Sequence, residues 1–159
     1  MATVIITQGL PAAGKSTIIK RDYAEARVIS PDVWKERHPD YDRLNPGPLH
    51  HWSKVEAEKE WQAVLAEGPE THETVIYDGT ASKVTSASKR IIEAQAAGFR
   101  VVLVQVLVSI ETSLKRDALR GVNGRTVGRK VIVEKAQELA TAREVLSSIV
   151  DEVRVVHND

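Results

Sequence analysis

Cysteine is absent from the 159-residue chain, which excludes a disulfide framework, a thiolate metal site and a cysteine nucleophile. Net charge is absent too: 22 Lys and Arg balance 22 Asp and Glu. Nothing global therefore draws the chain to nucleic acid or to a membrane surface, although a local basic groove is compatible with that balance. No apolar run approaches the roughly 20 residues that span a bilayer. The opening Met1-Ala2-Thr3-Val4-Ile5-Ile6-Thr7 has neither a basic n-region nor a long apolar stretch, so no signal peptide is expected there. Low-complexity tracts and short-period repeats are also missing. The expectation is a cytoplasmic protein with no membrane association. Its length suits one domain, 1–159, large enough to bury a core without cross-links.

What is present is an alternation of short β-branched runs with helical patterns. Val4–Ile6, Arg27–Ile29, Thr74–Tyr77, Phe99–Val108 and Val153–Val156 read as strands. Helices are expected over 14–25, from Ser30-Pro31-Asp32 onward, over 49–65, 83–97 (closed by Gly98), 110–119 and 129–150. Pro39, Pro46, Gly47 and Pro48 mark a loop between residues 38 and 48. Gly121 to Gly128 reads as a basic loop. This order predicts an α/β, three-layer P-loop NTPase fold with a central five-stranded parallel sheet, whose ligand loops gather at the carboxyl ends of the strands. Phe99–Val108 is almost wholly apolar and is expected to be buried on both faces.

The sharpest motif is Gly9-Leu10-Pro11-Ala12-Ala13-Gly14-Lys15-Ser16, a complete G-x-x-x-x-G-K-[ST] between a strand and a helix. In such a loop the backbone N–H groups wrap phosphates, and the helix N-terminus adds its positive end. ATP is the expected ligand, bound by Gly9, Pro11, Ala12, Ala13, Gly14, Lys15, Ser16 and Thr17. Lys15 reaches the β- and γ-phosphates, and the Ser16 hydroxyl is the expected Mg²⁺ ligand.

Other residues extend the site. Asp32 follows the second strand, where a carboxylate accepts the proton of an acceptor hydroxyl during in-line attack; a helix N-cap acid is the plainer alternative. Lys35, one turn on, is a candidate for an acceptor phosphate, and Trp34 for stacking on a base or sugar. Asp78 and Thr80 end the third strand beside the phosphate loop, to hold either the Mg²⁺ water shell or the acceptor. Arg116, Arg120 and Arg125 fall in a lid at about 116–129 with three glycines, suited to clamping ATP phosphates and stabilising transition-state charge. Trp61, at helical spacing, reads as core. The five histidines show no metal-binding spacing, and His50 and His51 read as surface residues. An Asn-Lys-x-Asp base-recognition motif is missing, which counts against a nucleotide-hydrolysing switch, the reading from another class.

Taken together, these residues resemble phage-type polynucleotide 5′-hydroxyl kinases. Gly9-x-Pro11-x-x-Gly14-Lys15-Ser16 opens the chain as in that family. Asp32-x-x-Lys35 is similar to its Asp-x-x-Arg, Asp78-Gly79-Thr80 to its Asp-x-Thr, and Arg116-x-x-x-Arg120-Gly121 to its lid motif. The segment Asp32-x-x-Lys35-x-x-His38-Pro39-x-Tyr41-Asp42 also resembles zeta-toxin kinases, as does Asp78-Gly79-Thr80 beside their Glu-Gly-Thr. Both resemblances imply an ATP- and Mg²⁺-dependent kinase with Lys15, Asp32, Arg116 and Arg120 in catalysis. They differ in acceptor. The first implies a nucleic-acid hydroxyl in DNA or RNA, with hydroxymethylated bases in DNA as a related case; the second implies a UDP-amino sugar or another small molecule. Lysine at position 35 lacks the planar fork of arginine for a phosphate.

Overall fold

A computed structural model describes residues 2–10, 13–41, 46–123 and 127–159. Twelve elements follow in order. They are β1 (Thr3–Gln8), α1 (Lys15–Asp22), β2 (Arg27–Ile29), α2 (Pro31–Arg37), α3 (Pro46–Glu67), a 3-10 turn (Pro69–Thr71), β3 (Thr74–Tyr77), α4 (Val84–Ala96), β4 (Arg100–Leu107), α5 (Ile110–Asn123), α6 (Arg129–Ser147) and β5 (Glu152–His157). The five strands form one sheet in the order β2-β3-β1-β4-β5. Every adjacent pair is parallel. The expected α/β architecture with five parallel strands is what the chain adopts.

Side chains alternate across the sheet, as a period of two requires. On β1, Val4 and Ile6 enter one apolar cluster and Ile5 the other. On β4, Val101 and Leu103 join the first, while Val102, Val104 and Val106 join the second. The first cluster is covered by α3 and α4 through Trp61, Val64, Ile91 and Ala94. The second is covered by α1 through Ile18 and Ile19. Both faces of the central strands are thus closed off from water, which is why β4 reads as a continuous apolar run. Trp61 is fully buried, edge-on to Tyr77 at 5.7 Å between ring centroids, which bears out its assignment to the core.

Local chemistry sets the ends of the elements. Ser30 caps α2, its hydroxyl accepting the N–H of Asp32 at 3.0 Å, with Pro31 in the first turn where no N–H is needed. Gly98 closes α4 at φ +97°, its N–H and that of Phe99 reaching back to the Gln95 and Ala94 carbonyls.

Four helix boundaries differ from the sequence expectation by three or more residues. Helix α1 stops at Asp22, not at residue 25, because a turn from Tyr23 to Ala26 leads directly into β2. Helix α3 begins at Pro46, since proline is tolerated in a first helical turn. Helix α5 runs on to Asn123, so Gly121 is helical and does not open the basic loop. Helix α6 ends at Ser147, three residues early, where Ile149 and Val150 turn back onto Leu146 to enter β5.

Candidate active site

Parallel strands bring the loops after β1, β2, β3 and β4 to one edge of the sheet. There they line a cleft of about 580 Å³. Ala13, Gly14, Lys15 and Ser16 form one wall, Asp32 and Asp78 another, and Arg116 and Val127 a third. Sequence positions spread over more than a hundred residues therefore converge.

Two glycines make the first wall possible. A Cβ on Gly9 would stand 2.7 Å from the carbonyl oxygen of Val106, so the chain leaves β1 pressed against β4. Gly14 sits at φ +90°, in the left-handed region that side chains disfavour, and lets the loop turn into α1. The Lys15 ammonium donates to the carbonyls of Gly9 at 3.2 Å and Leu10 at 2.9 Å, folding across the loop. Ser16 and Thr17 lie exposed in the first turn of α1, whose N–H groups have no intrahelical acceptor. Pro11 and Ala12 fall outside the described residues.

The loop after β3 is fastened to three successive residues, the last two of β1 and the Gly9 that follows it. The Thr7 hydroxyl lies 2.8 Å from Asp78 Oδ1 and accepts the N–H of Gly79 at 3.0 Å. The Gln8 side-chain amide donates to the Ala81 carbonyl at 2.9 Å. Gly9 donates its N–H to the Thr80 carbonyl at 3.1 Å. Gln8 is itself held by Gln105 of β4, whose amide donates at 3.1 Å. Ala81 adopts φ +49°, a strained value that this set of bonds maintains. Burial pushes the Asp78 carboxyl above its ordinary value of 3.8; the Thr7 hydrogen bond and the Lys15 charge oppose the rise, and Asp32 adds to it. Thr7 and Gln8 escaped the sequence reading because buried polar residues at a strand end carry no motif.

Asp32 stands in the first turn of α2 with its side chain 87% exposed and its carboxylate 3.7 Å from the Lys35 ammonium. Lys35 is buried and also lies 3.2 Å from His50 Nδ1 on α3. It does not line the cleft, and neither does Trp34. The Trp34 indole N–H donates to Glu60 at 2.9 Å, while its ring lies edge-on to Trp52 and beneath Arg37 at 4.8 Å. Both residues tie α2 to α3. His50 is exposed, as expected of a surface histidine, yet it is the neighbour of this buried lysine.

Arg116 reaches the phosphate loop from α5. It donates to the Ala13 carbonyl at 3.2 Å and to the Asn158 carbonyl at 2.5 Å. One helical turn separates it from Arg120, whose side chain, like all of Arg125, lies outside the described residues. The neighbouring Asp117 is buried and accepts the N–H groups of Val127 at 2.7 Å and Gly128 at 2.9 Å, fixing the entry to α6. Asn158 and Asp117 were not legible in advance, because their partners are backbone atoms distant in sequence.

The donor set suits a hard cation. The Ser16 hydroxyl and the Asp78 carboxylate open on the same cleft. No group of three or more His, Asp or Glu side chains among the described residues could cage a metal. That combination fits Mg²⁺, which keeps several waters and relies on substrate phosphates.

Similarity to known structures agrees with this geometry. A chain from the PezAT chromosomal toxin–antitoxin system of Streptococcus pneumoniae aligns with TM-score 0.70 and 18% identity, over 100% of this chain and 69% of that one. AvrRxo1-ORF1:-ORF2 with ATP aligns with TM-score 0.76 and 15% identity, over 99% and 55%. The Pnkp1/Rnl/Hen1 RNA repair complex aligns with TM-score 0.71 and 17% identity, over 91% and 46%. The chain thus spans about half the length of the last two, and at these identities the likeness is one of fold. No curated protein sequence matches significantly. The family model for zeta toxin matches residues 2–159, so of the two resemblances read from the sequence it is the second that the match carries. With the phosphate loop, the five parallel strands and this match over nearly its whole length, the chain belongs to the zeta toxin family of P-loop kinases.

Proposed function

We propose that the protein is an ATP- and Mg²⁺-dependent kinase in which Asp32 accepts the proton of an acceptor hydroxyl while the γ-phosphoryl group is transferred to that oxygen. The observation that carries this reading is the shared cleft, where Asp32 faces the Lys15–Ser16 end of the phosphate loop. The loop holds the triphosphate through its backbone N–H groups, and Lys15 exchanges its bonds to Gly9 and Leu10 for phosphate oxygens. Ser16, with Asp78 through water, would hold Mg²⁺, which when bound neutralises charge across the β- and γ-phosphates. Asp32 takes the hydroxyl proton as the new P–O bond forms and the bond to the β–γ bridging oxygen breaks. Arg116, Arg120 and Arg125 supply positive charge on the donor side.

Two acceptors suit this chemistry. A nucleic-acid hydroxyl, in DNA or RNA, is supported by the resemblance of Arg116-x-x-x-Arg120-Gly121 to the polynucleotide-kinase lid motif and by the fold shared with the RNA repair complex. A UDP-amino sugar or another small molecule is supported by the zeta toxin match over residues 2–159. Transfer from γ-labelled ATP, screened against 5′-hydroxyl DNA and RNA, hydroxymethylated DNA, UDP-amino sugars and nucleosides, tests both. Label released only to water would refute a kinase and return the chain to a hydrolysing switch. Lys15→Ala is expected to abolish transfer; a variant near the wild-type rate would refute the phosphate-loop assignment.

A further inference from the structure

The phosphate loop is held from behind by the strand that enters the sheet last. Asn158 follows β5, and its own N–H donates to the Leu107 carbonyl at 2.9 Å, continuing the β4–β5 ladder. The next residue is fixed as well, Asp159 Oδ1 accepting the Ser109 N–H at 2.8 Å. Anchoring at its own N–H and at the Asp159 carboxylate that follows sets the direction of the Asn158 side chain. Its amide Nδ2 donates to the Ala13 carbonyl at 2.8 Å. Because a carbonyl only accepts, this partner also settles which end of the amide is nitrogen. Arg116 donates to the same carbonyl at 3.2 Å, so both of its lone pairs are engaged.

That double engagement has a stereochemical consequence. The Ala13 carbonyl and the Gly14 N–H belong to one planar trans peptide and point in opposite directions. Drawing the carbonyl toward Asn158 and Arg116 turns the Gly14 N–H away from them. Among the described residues that N–H has no acceptor of its own. The space beside the Gly14 Cα on the Asn158 side is filled as well: a Cβ there would stand 2.2 Å from Asn158 Nδ2. Glycine at this position is thus required by its left-handed φ and by the asparagine packed against it.

We infer that Asn158 is a positioning residue for the phosphate loop: it locks the Ala13–Gly14 peptide in the orientation that presents the Gly14 N–H to the polyphosphate of the nucleotide. This rests on the kinase reading above. A rotated peptide would offer a carbonyl oxygen where a donor is needed, converting an attractive contact with phosphate into a repulsive one. The base and ribose do not depend on this peptide, so the effect is confined to ligands with a β-phosphate.

Asn158→Asp is the discriminating variant, since it keeps side-chain shape and every backbone bond while replacing the donor by a carboxylate oxygen. Calorimetric titration with ATP, ADP and AMP is expected to show ATP and ADP weakened by on the order of tenfold or more, AMP unchanged, and the Tm within a few degrees of wild type. As pH is lowered toward ~4, the protonated carboxyl regains a donor, and the ATP affinity of the variant is expected to approach that of wild type. Asn158→Ala, which removes the donor without adding charge, is expected to give the same selective loss at neutral pH and no recovery in acid. Equal weakening of ATP and AMP, or ATP affinity unchanged in both variants, overturns the inference. A wild type that does not prefer ATP to AMP overturns the inference together with the phosphate-loop reading beneath it.

Discussion

Asp32 and Asp78 face the same cleft from environments that separate their roles. Asp32 is exposed at the start of α2, whereas Asp78 is set into the sheet edge against Thr7. Replacing Asp32 by Asn is expected to lower kcat by about 10²- to 10⁴-fold, the usual share of a general base, and to leave ATP affinity unchanged; a loss seen only in ATP affinity would remove it from the role of base. Asp78 makes a prediction about pH. Its pKa is raised in the folded protein, so its protonated form is the one the fold favours. Its contribution to stability is complete below the unfolded value of 3.8 and is lost as pH rises through the raised folded value. The Tm of Asp78→Asn minus that of wild type is therefore expected to grow across that interval. A difference that stays flat or shrinks would show that burial does not govern this carboxyl. The residues legible in the sequence were those that open on the cleft: Lys15, Ser16, Asp32 and Asp78 all line it. Lys35 and Trp34 lie on α2 but turn their polar atoms to α3, a helix joined to α2 through residues 38–45, of which 42–45 lie outside the described residues.

At the scale of elements, the junction between α5 and α6 rests on one buried carboxylate. Asp117 accepts two backbone N–H groups that the start of α6 would otherwise leave without partners. Asp117→Ala is expected to cost about 1–3 kcal/mol, the penalty for buried donors left unsatisfied, measured by urea unfolding. Stability equal to wild type would show that water replaces the carboxylate without cost. The sequence places α5 and the glycines correctly in order, but it gives no sign that the helix continues through Gly121 or that an acid ten residues earlier caps its successor. Propensity argues against a helical glycine by only ~1 kcal/mol, less than tertiary hydrogen bonds supply. The β5 strand shows a similar limit. Its pairing is visible as a short β-branched run, whereas the delivery of Asn158 to Ala13 follows only from the position of β5 beside β4.

For the whole molecule, the sheet divides its apolar residues between two faces, and the central strand serves both. Ile5 is 1% exposed within the second cluster, so Ile5→Ala is expected to destabilise by about 2–5 kcal/mol in chemical denaturation. The balanced charge of the chain bears on its acceptor. If the acceptor is single-stranded nucleic acid, KM for it should rise steeply with salt, with a log–log slope of ~0.7 per phosphate contacted. A small sugar nucleotide would show a far weaker dependence. The fold was readable because parallel α/β order leaves a strong periodic trace. The rear of the site was not, because it is assembled from strand neighbours that are distant in sequence. Thr7, Gln8 and Gly9 each grip the segment after β3, whose ladder with β1 sets Ile6 against Tyr77. Misplacement of Asp78 by slipped pairing is then quantised: β3 sits in its notch, or it is off by a whole residue step of ~3.3 Å with the carboxylate on the opposite face. A preparation containing slipped molecules should behave as a mixture of fully working and silent copies. Titration of competent sites would fall below one per chain, while the KM of the remainder stayed the same.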